Sequence, residues 1–86
     1  MAIVWQDGRM VGAVGRGVRI EFEPMPDEGV EALRMLVGGE YVGVLWFAPF
    51  SVNAELGTGS DRRLLDGCGD AEDLMDLVLA NLAEGA

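Results

Sequence analysis

The stretch Glu40 to Ala48 constrains this chain more than any other, because read as a strand it has no polar face. Tyr41, Gly43, Leu45 and Phe47 alternate with Val42, Val44, Trp46 and Ala48. A strand of this kind is either central and covered on both sides, or it offers its second face to a partner. Pro49 stops it, and Val52, Ala54 and Leu56 then alternate with Asn53 and Glu55, as a returning antiparallel strand would.

The segments before it supply the rest of a sheet. Asp7-Gly8 lies between apolar residues and suits a two-residue type I′ hairpin, so residues 2–6 and 10–14 are expected to pair. Gly15-Arg16-Gly17 supplies a second turn. Over residues 17–23, Val18, Ile20 and Phe22 alternate with Arg19, Glu21 and Glu23, the pattern of a strand with one wet face.

After Pro24 and Pro26 the spacing changes. With Asp27 as N-cap, Val30, Leu33, Leu36 and Val37 share one helical face, while Glu28, Glu31 and Arg34 lie on the other. This predicts a helix from Asp27 to about Val37, ended by Gly38-Gly39. Residues 57–69 read as a loop. A second helix is predicted over 70–84, with Asp70 as N-cap, Asp73 at N3, an apolar arc through Leu74, Leu77, Val78 and Leu82 reaching Leu79, and an acidic back of Glu72, Asp73, Asp76 and Glu84. The expected fold is α+β and two-layer: an antiparallel sheet of about five strands, two helices on one face, order βββαββα. Eighty-six residues suit one domain, 1–86.

Composition narrows the chemistry. The chain has no His, and all six of its basic residues are Arg, against 15 acids, for a net charge of −9. Without His the commonest general base and metal ligand are missing. Without Lys there is no Schiff base and no P-loop. The charge argues against direct nucleic-acid binding. Cys68 precedes a helix start, but Asp66 and Asp70 oppose a lowered thiol pKa, so an unreactive Cys is the better reading. The clusters Gly12–Gly17, Gly57–Gly59 and Gly67–Gly69 fit no phosphate-loop pattern. Asp61, Asp66, Asp70, Glu72 and Asp73 lack the spacing of a calcium loop. No metal, cofactor or catalytic residue is therefore expected, and the chain reads as no enzyme.

The single Cys excludes an internal disulfide and agrees with a reducing compartment. The longest uncharged stretch, Tyr41 to Ala54, falls short of the ~20 residues that span a bilayer. A cytoplasmic location is expected, the host cytoplasm if phage-encoded, with no membrane partner.

Two surfaces remain as candidates for partners. Residues 1–20 hold Arg9, Arg16 and Arg19 against Asp7, a net +2, and residues 21–86 hold the other −11. Glu21, Glu23, Glu28, Glu31, Glu72, Asp73 and Asp76 are expected on wet faces, where ordered carboxylates imitate phosphate charge. Trp46, Phe50 and Leu79 are expected at an apolar partner or dimer interface. The expectation is a small acidic protein-binding module, an inhibitor that occupies a basic, nucleic-acid-binding site on a protein partner. In size and charge it is of the general kind of phage anti-defence (anti-CRISPR-like) and immunity proteins. The alternative is a self-assembling, homo-oligomeric subunit, a homodimer in its simplest form.

Overall fold

The computed structural model describes residues 1–25, 31–48, 51–57, 62–66 and 70–84, without the side chains of Glu31, Ala48 and Ser51. Seven strands follow in chain order: β1 Ala2–Gln6, β2 Arg9–Gly15, β3 Val18–Pro24, β4 Glu31–Val37, β5 Glu40–Ala48, β6 Ser51–Leu56 and β7 Arg63–Asp66. One helix closes the order, α1 Ala71–Glu84. Each strand pairs antiparallel with the next, giving one seven-stranded meander. The fold is α+β, as expected, but with seven strands for five and a single C-terminal helix for two among the described residues.

Three of the turns explain how the meander forms. Asp7-Gly8, Arg16-Gly17 and Gly38-Gly39 all have φ between 51° and 82° at both positions. Paired positive φ marks the type I′ turn, whose twist matches that of the strands it joins. Gly38-Gly39 is therefore a hairpin, not the end of a helix. The helix expected over 27–37 is corrected accordingly. Its second half is β4, which pairs with β3 from Glu21↔Leu36 to Pro24↔Leu33 and with β5 from Glu31↔Phe47 to Val37↔Glu40. Leu33, Met35 and Val37 repeat every second residue as regularly as Val30, Leu33, Leu36 and Val37 share a helical face, and two flanking strands outweigh the local preference. β7, expected within a loop, pairs with β6 through Asn53↔Asp66 to Leu56↔Arg63.

The helix reveals the shape of the sheet. α1 packs against β2 and β3 and also against β6 and β7. A flat sheet would set β2 and β7 about 24 Å apart, five strand spacings, and bring its central strands nearest to a helix lying across it, whereas α1 comes closer to β2, β3, β6 and β7 than to β4 and β5. The sheet must therefore curl around α1. Two bulges assist the curl, one leaving Val11 unpaired opposite β1 and the other leaving Val42 unpaired opposite β4. At Gly43, beside the second bulge, β5 and β6 approach so closely that a Cβ would overlap the Glu55 carbonyl oxygen and lie 3.1 Å from the Leu56 Cα. The core fills the resulting trough: Ala13, Ile20, Phe22, Met35, Leu45, Ala54, Leu56 and Leu65 from the sheet meet Leu74, Met75, Val78 and Leu79. Among the described residues no charged or polar residue is buried.

Leu79 is corrected as well. Its expected place is an interface, and it is fully buried. The missing side chain of Gly15 makes room for it, because a Cβ there would lie 3.1 Å from Leu79 Cδ1.

Candidate functional site

The exposed side of α1 carries charge of one sign. Asp70 fixes where the helix begins: its Oδ1 accepts the Glu72 N–H at 2.9 Å, and its carbonyl accepts the Leu74 N–H at 3.1 Å. That is the geometry of an N-cap. Burial of Leu74, Met75, Val78 and Leu79 against the sheet then sets the helix rotation. At ~100° per residue, Glu72, Asp73, Asp76 and Glu84 fall within an arc of about 120° on the opposite side. All four are exposed. Leu77, on the flank of that arc, is exposed too.

Little compensates this charge. No basic residue occupies the last turn. Arg16, in the β2–β3 turn, approaches Asp76 at 3.5 Å, with both side chains more than half exposed. An exposed pair of this kind holds its partners loosely, at about 0–1 kcal/mol. Among the described residues Glu72, Asp73 and Glu84 have no ion pair. Glu72 and Asp73 lie in the first turn, where the helix dipole favours carboxylates. No group of three or more acids or thiols converges as a metal site among the described residues. Among the described residues no helix is long and apolar enough to cross a membrane.

Glu21 and Glu23 belong to a different surface. They alternate with the buried Ile20 and Phe22, so they point away from α1, to the outer face of the sheet. There the register aligns Glu23, Arg34, Val44, Glu55 and Leu64 across β3 to β7. Arg34 lies 3.7 Å from Glu23, and Arg62 lies 3.2 Å from Glu55. Charge on this face is mixed where that of the helix is uniform. The acids expected on one surface thus divide between opposite sides of the sheet. Glu31 stands in β4 opposite Phe47, not on a helix, and Glu28 lies outside the described residues.

Trp46 is half-buried on the outer face, in register with Ala32 and Asn53. Beside it Ala32 and Val44 are 4% and 7% exposed although neither joins the core around α1. Leu36 and Tyr41, paired across β4 and β5, extend this apolar patch, and Tyr41 is exposed. Sequence reasoning did not single out Leu36, Tyr41, Val4, Val14 or Leu64 as surface residues. The alternation of Val4 and Val14 with Ile3 and Ala13 was their only signal. Leu64 had none, because its segment reads as a loop. Phe50 and Cys68 lie outside the described residues.

No family model matches the chain, and no curated protein or solved structure shows significant similarity to it.

Proposed function

We propose that this chain is a small, non-enzymatic protein-binding module whose acidic helix occupies a basic site on a protein partner. The observation that carries the reading is the exposed arc of Glu72, Asp73, Asp76 and Glu84, opposed only by Arg16 at 3.5 Å from Asp76 among the described residues. Such an arc is complementary to a surface built to hold phosphates, and complementary charge speeds encounter and fixes orientation. The site envisaged is nucleic-acid-binding, and the mode is inhibition by occupancy, as in phage anti-defence and immunity proteins. The absence of His and Lys supports a role in binding and not in catalysis. A reducing, cytoplasmic setting accords with the single Cys.

The test compares the wild-type chain with the variant Glu72→Gln, Asp73→Asn, Asp76→Asn as baits in extracts of the native host. The expected result is one basic protein held by the wild type, released as salt rises, and lost from the variant. Equal retention by both baits at low and high salt would overturn the reading.

A self-assembling subunit is the second reading. Exposed apolar residues on the outer face and on β1, among them Val4, Trp5, Val14, Tyr41 and Leu64, favour it.

A further inference from the structure

The two edges of the sheet are built differently. β7 has four residues, begins with Arg63 after Arg62, and ends in Asp66, so charge guards it at both ends. β1 is Ala2-Ile3-Val4-Trp5-Gln6, with neither charge nor proline. Its bulge offers no protection, because the extra residue, Val11, belongs to β2 and leaves β1 itself regular. Natural edges are usually blunted by charge, proline, bulges or shortness. β1 has none of these. Among the described residues no strand pairs with its far side. Val4 is 49% and Trp5 57% exposed.

We propose that β1 is a docking edge for a second copy of this chain, pairing antiparallel with the partner's β1 about a two-fold axis at Val4. The edge itself carries no charged side chain that would hold two copies apart. Two molecules of net charge −9 repel, and the repulsion is concentrated in residues 21–86. β1 lies in the only part of the chain with an excess of Arg, from Arg9, Arg16 and Arg19 against Asp7. Pairing through β1 therefore joins the two least acidic parts of the chain, with no charged side chain in the paired strands themselves. The register is also self-complementary. With Val4 on the axis, Trp5 faces the partner's Ile3, and Ala2 faces the partner's Gln6. Ile3 pairs with the buried Ala13 and lies against the core. Trp5, two residues along on the same face, lacks that cover. An aromatic residue opposite a β-branched one is a favourable cross-strand pair, and here it covers the most exposed Trp in the chain.

This inference rests on the self-association reading and leaves the acids of α1 free. The test measures mass by light scattering over a wide concentration range for wild type, Val4→Lys, Val14→Lys and Leu64→Lys. Circular dichroism confirms that each variant is folded. Val14 shares the outer face with Val4 but lies on β2, and Leu64 marks the opposite edge. The wild type, Val14→Lys and Leu64→Lys should dimerise, and Val4→Lys should weaken the dimer about tenfold or more by placing a gatekeeper charge on the edge. Hydrogen exchange gives a readout without a variant: amides of β1 should gain protection in the wild type as concentration rises. A wild-type chain that stays monomeric overturns both the pairing and the self-association reading. A dimer indifferent to Val4→Lys, with no added protection in β1, overturns the β1 pairing alone.

Discussion

Arg63 Nη1 donates a 2.6 Å hydrogen bond to Asn81 Oδ1, joining the last strand of the sheet to the helix that follows it. The Asn81 amide in turn donates to the Leu77 carbonyl at 2.9 Å, which fixes the side chain that receives the arginine. β7 has only four residues and, among the described residues, pairs on one side alone, so this link adds materially to its attachment.

The first prediction concerns that link. A double-mutant cycle of Arg63→Ala and Asn81→Ala, measured by urea unfolding, should give a coupling energy of about 0.5–1.5 kcal/mol. The cycle is needed because Ala is the better helix former at position 81 and would mask the loss. A coupling below ~0.3 kcal/mol, within the usual error of additivity, would mean the bond does not hold β7 in place.

Gly43 provides the second. Its missing side chain lets β5 and β6 close over the bulge, where a Cβ would meet backbone atoms that cannot rotate away. Gly43→Ala should therefore cost about 1–3 kcal/mol or more, as overpacking does. Gly12→Ala places its Cβ 3.2 Å from the Ile20 carbonyl oxygen and should cost less. Denaturant midpoints that ranked the two in reverse would contradict the close approach at Gly43.

A third prediction separates the hairpin at Gly38-Gly39 from the helix end that local sequence suggests. At Gly39 φ is 82°, and an added Cβ would meet nothing within 4 Å, so the whole effect of Gly39→Ala comes from the backbone. The left-handed conformation should cost it about 1–2 kcal/mol. Gly38→Asn should be tolerated, since Asn-Gly is a favoured type I′ pair. Stabilisation by Gly39→Ala would argue for a helix extended through this position.

These positions show what the sequence makes visible and what it hides. Asp7-Gly8 and Arg16-Gly17 are legible because turn chemistry is local, and strict alternation follows the second of them. Asp70 and the amphipathic run after it are legible for the same reason. β4 is not, because Leu33, Leu36 and Val37 satisfy a helical period while Leu33, Met35 and Val37 satisfy a strand period. Pairing with β3 and β5, a non-local effect, decides between them. The acids of α1 could be read from helical spacing, but their separation from Glu21 and Glu23 required the sheet. Burial of Leu79 depends on Gly15, 64 positions earlier, and no periodicity encodes that contact.

Leu79 and Leu77 give the fourth prediction. Both lie on α1, yet Leu79 is sealed against Gly15 and Leu77 faces solvent. Leu79→Ala should destabilise the fold by about 2–5 kcal/mol. Leu77→Ala, away from the core, should stay within about ±0.5 kcal/mol. Thermal or urea unfolding that found the two equivalent would reopen the assignment of Leu79 to the core.

The last prediction isolates binding by the helix from its stability. Asp70→Ala removes the cap on the Glu72 N–H and should cost about 1 kcal/mol. Glu72→Gln and Asp73→Asn should each cost only about 0.3–1 kcal/mol at low salt, because they lose a favourable position near the helix N-terminus. Asp76→Asn gives up an exposed pair with Arg16 and should change stability by less than about 0.5 kcal/mol. The three-site neutral variant therefore stays folded while it loses three carboxylates from one face. If its partner affinity fell no further than stability and net charge require, a control variant that removes three acids elsewhere, Asp7→Asn, Glu21→Gln and Glu40→Gln, would match it. A loss confined to the helix variant ties recognition to α1, and equal losses would reduce the acidity to a non-specific effect of net charge.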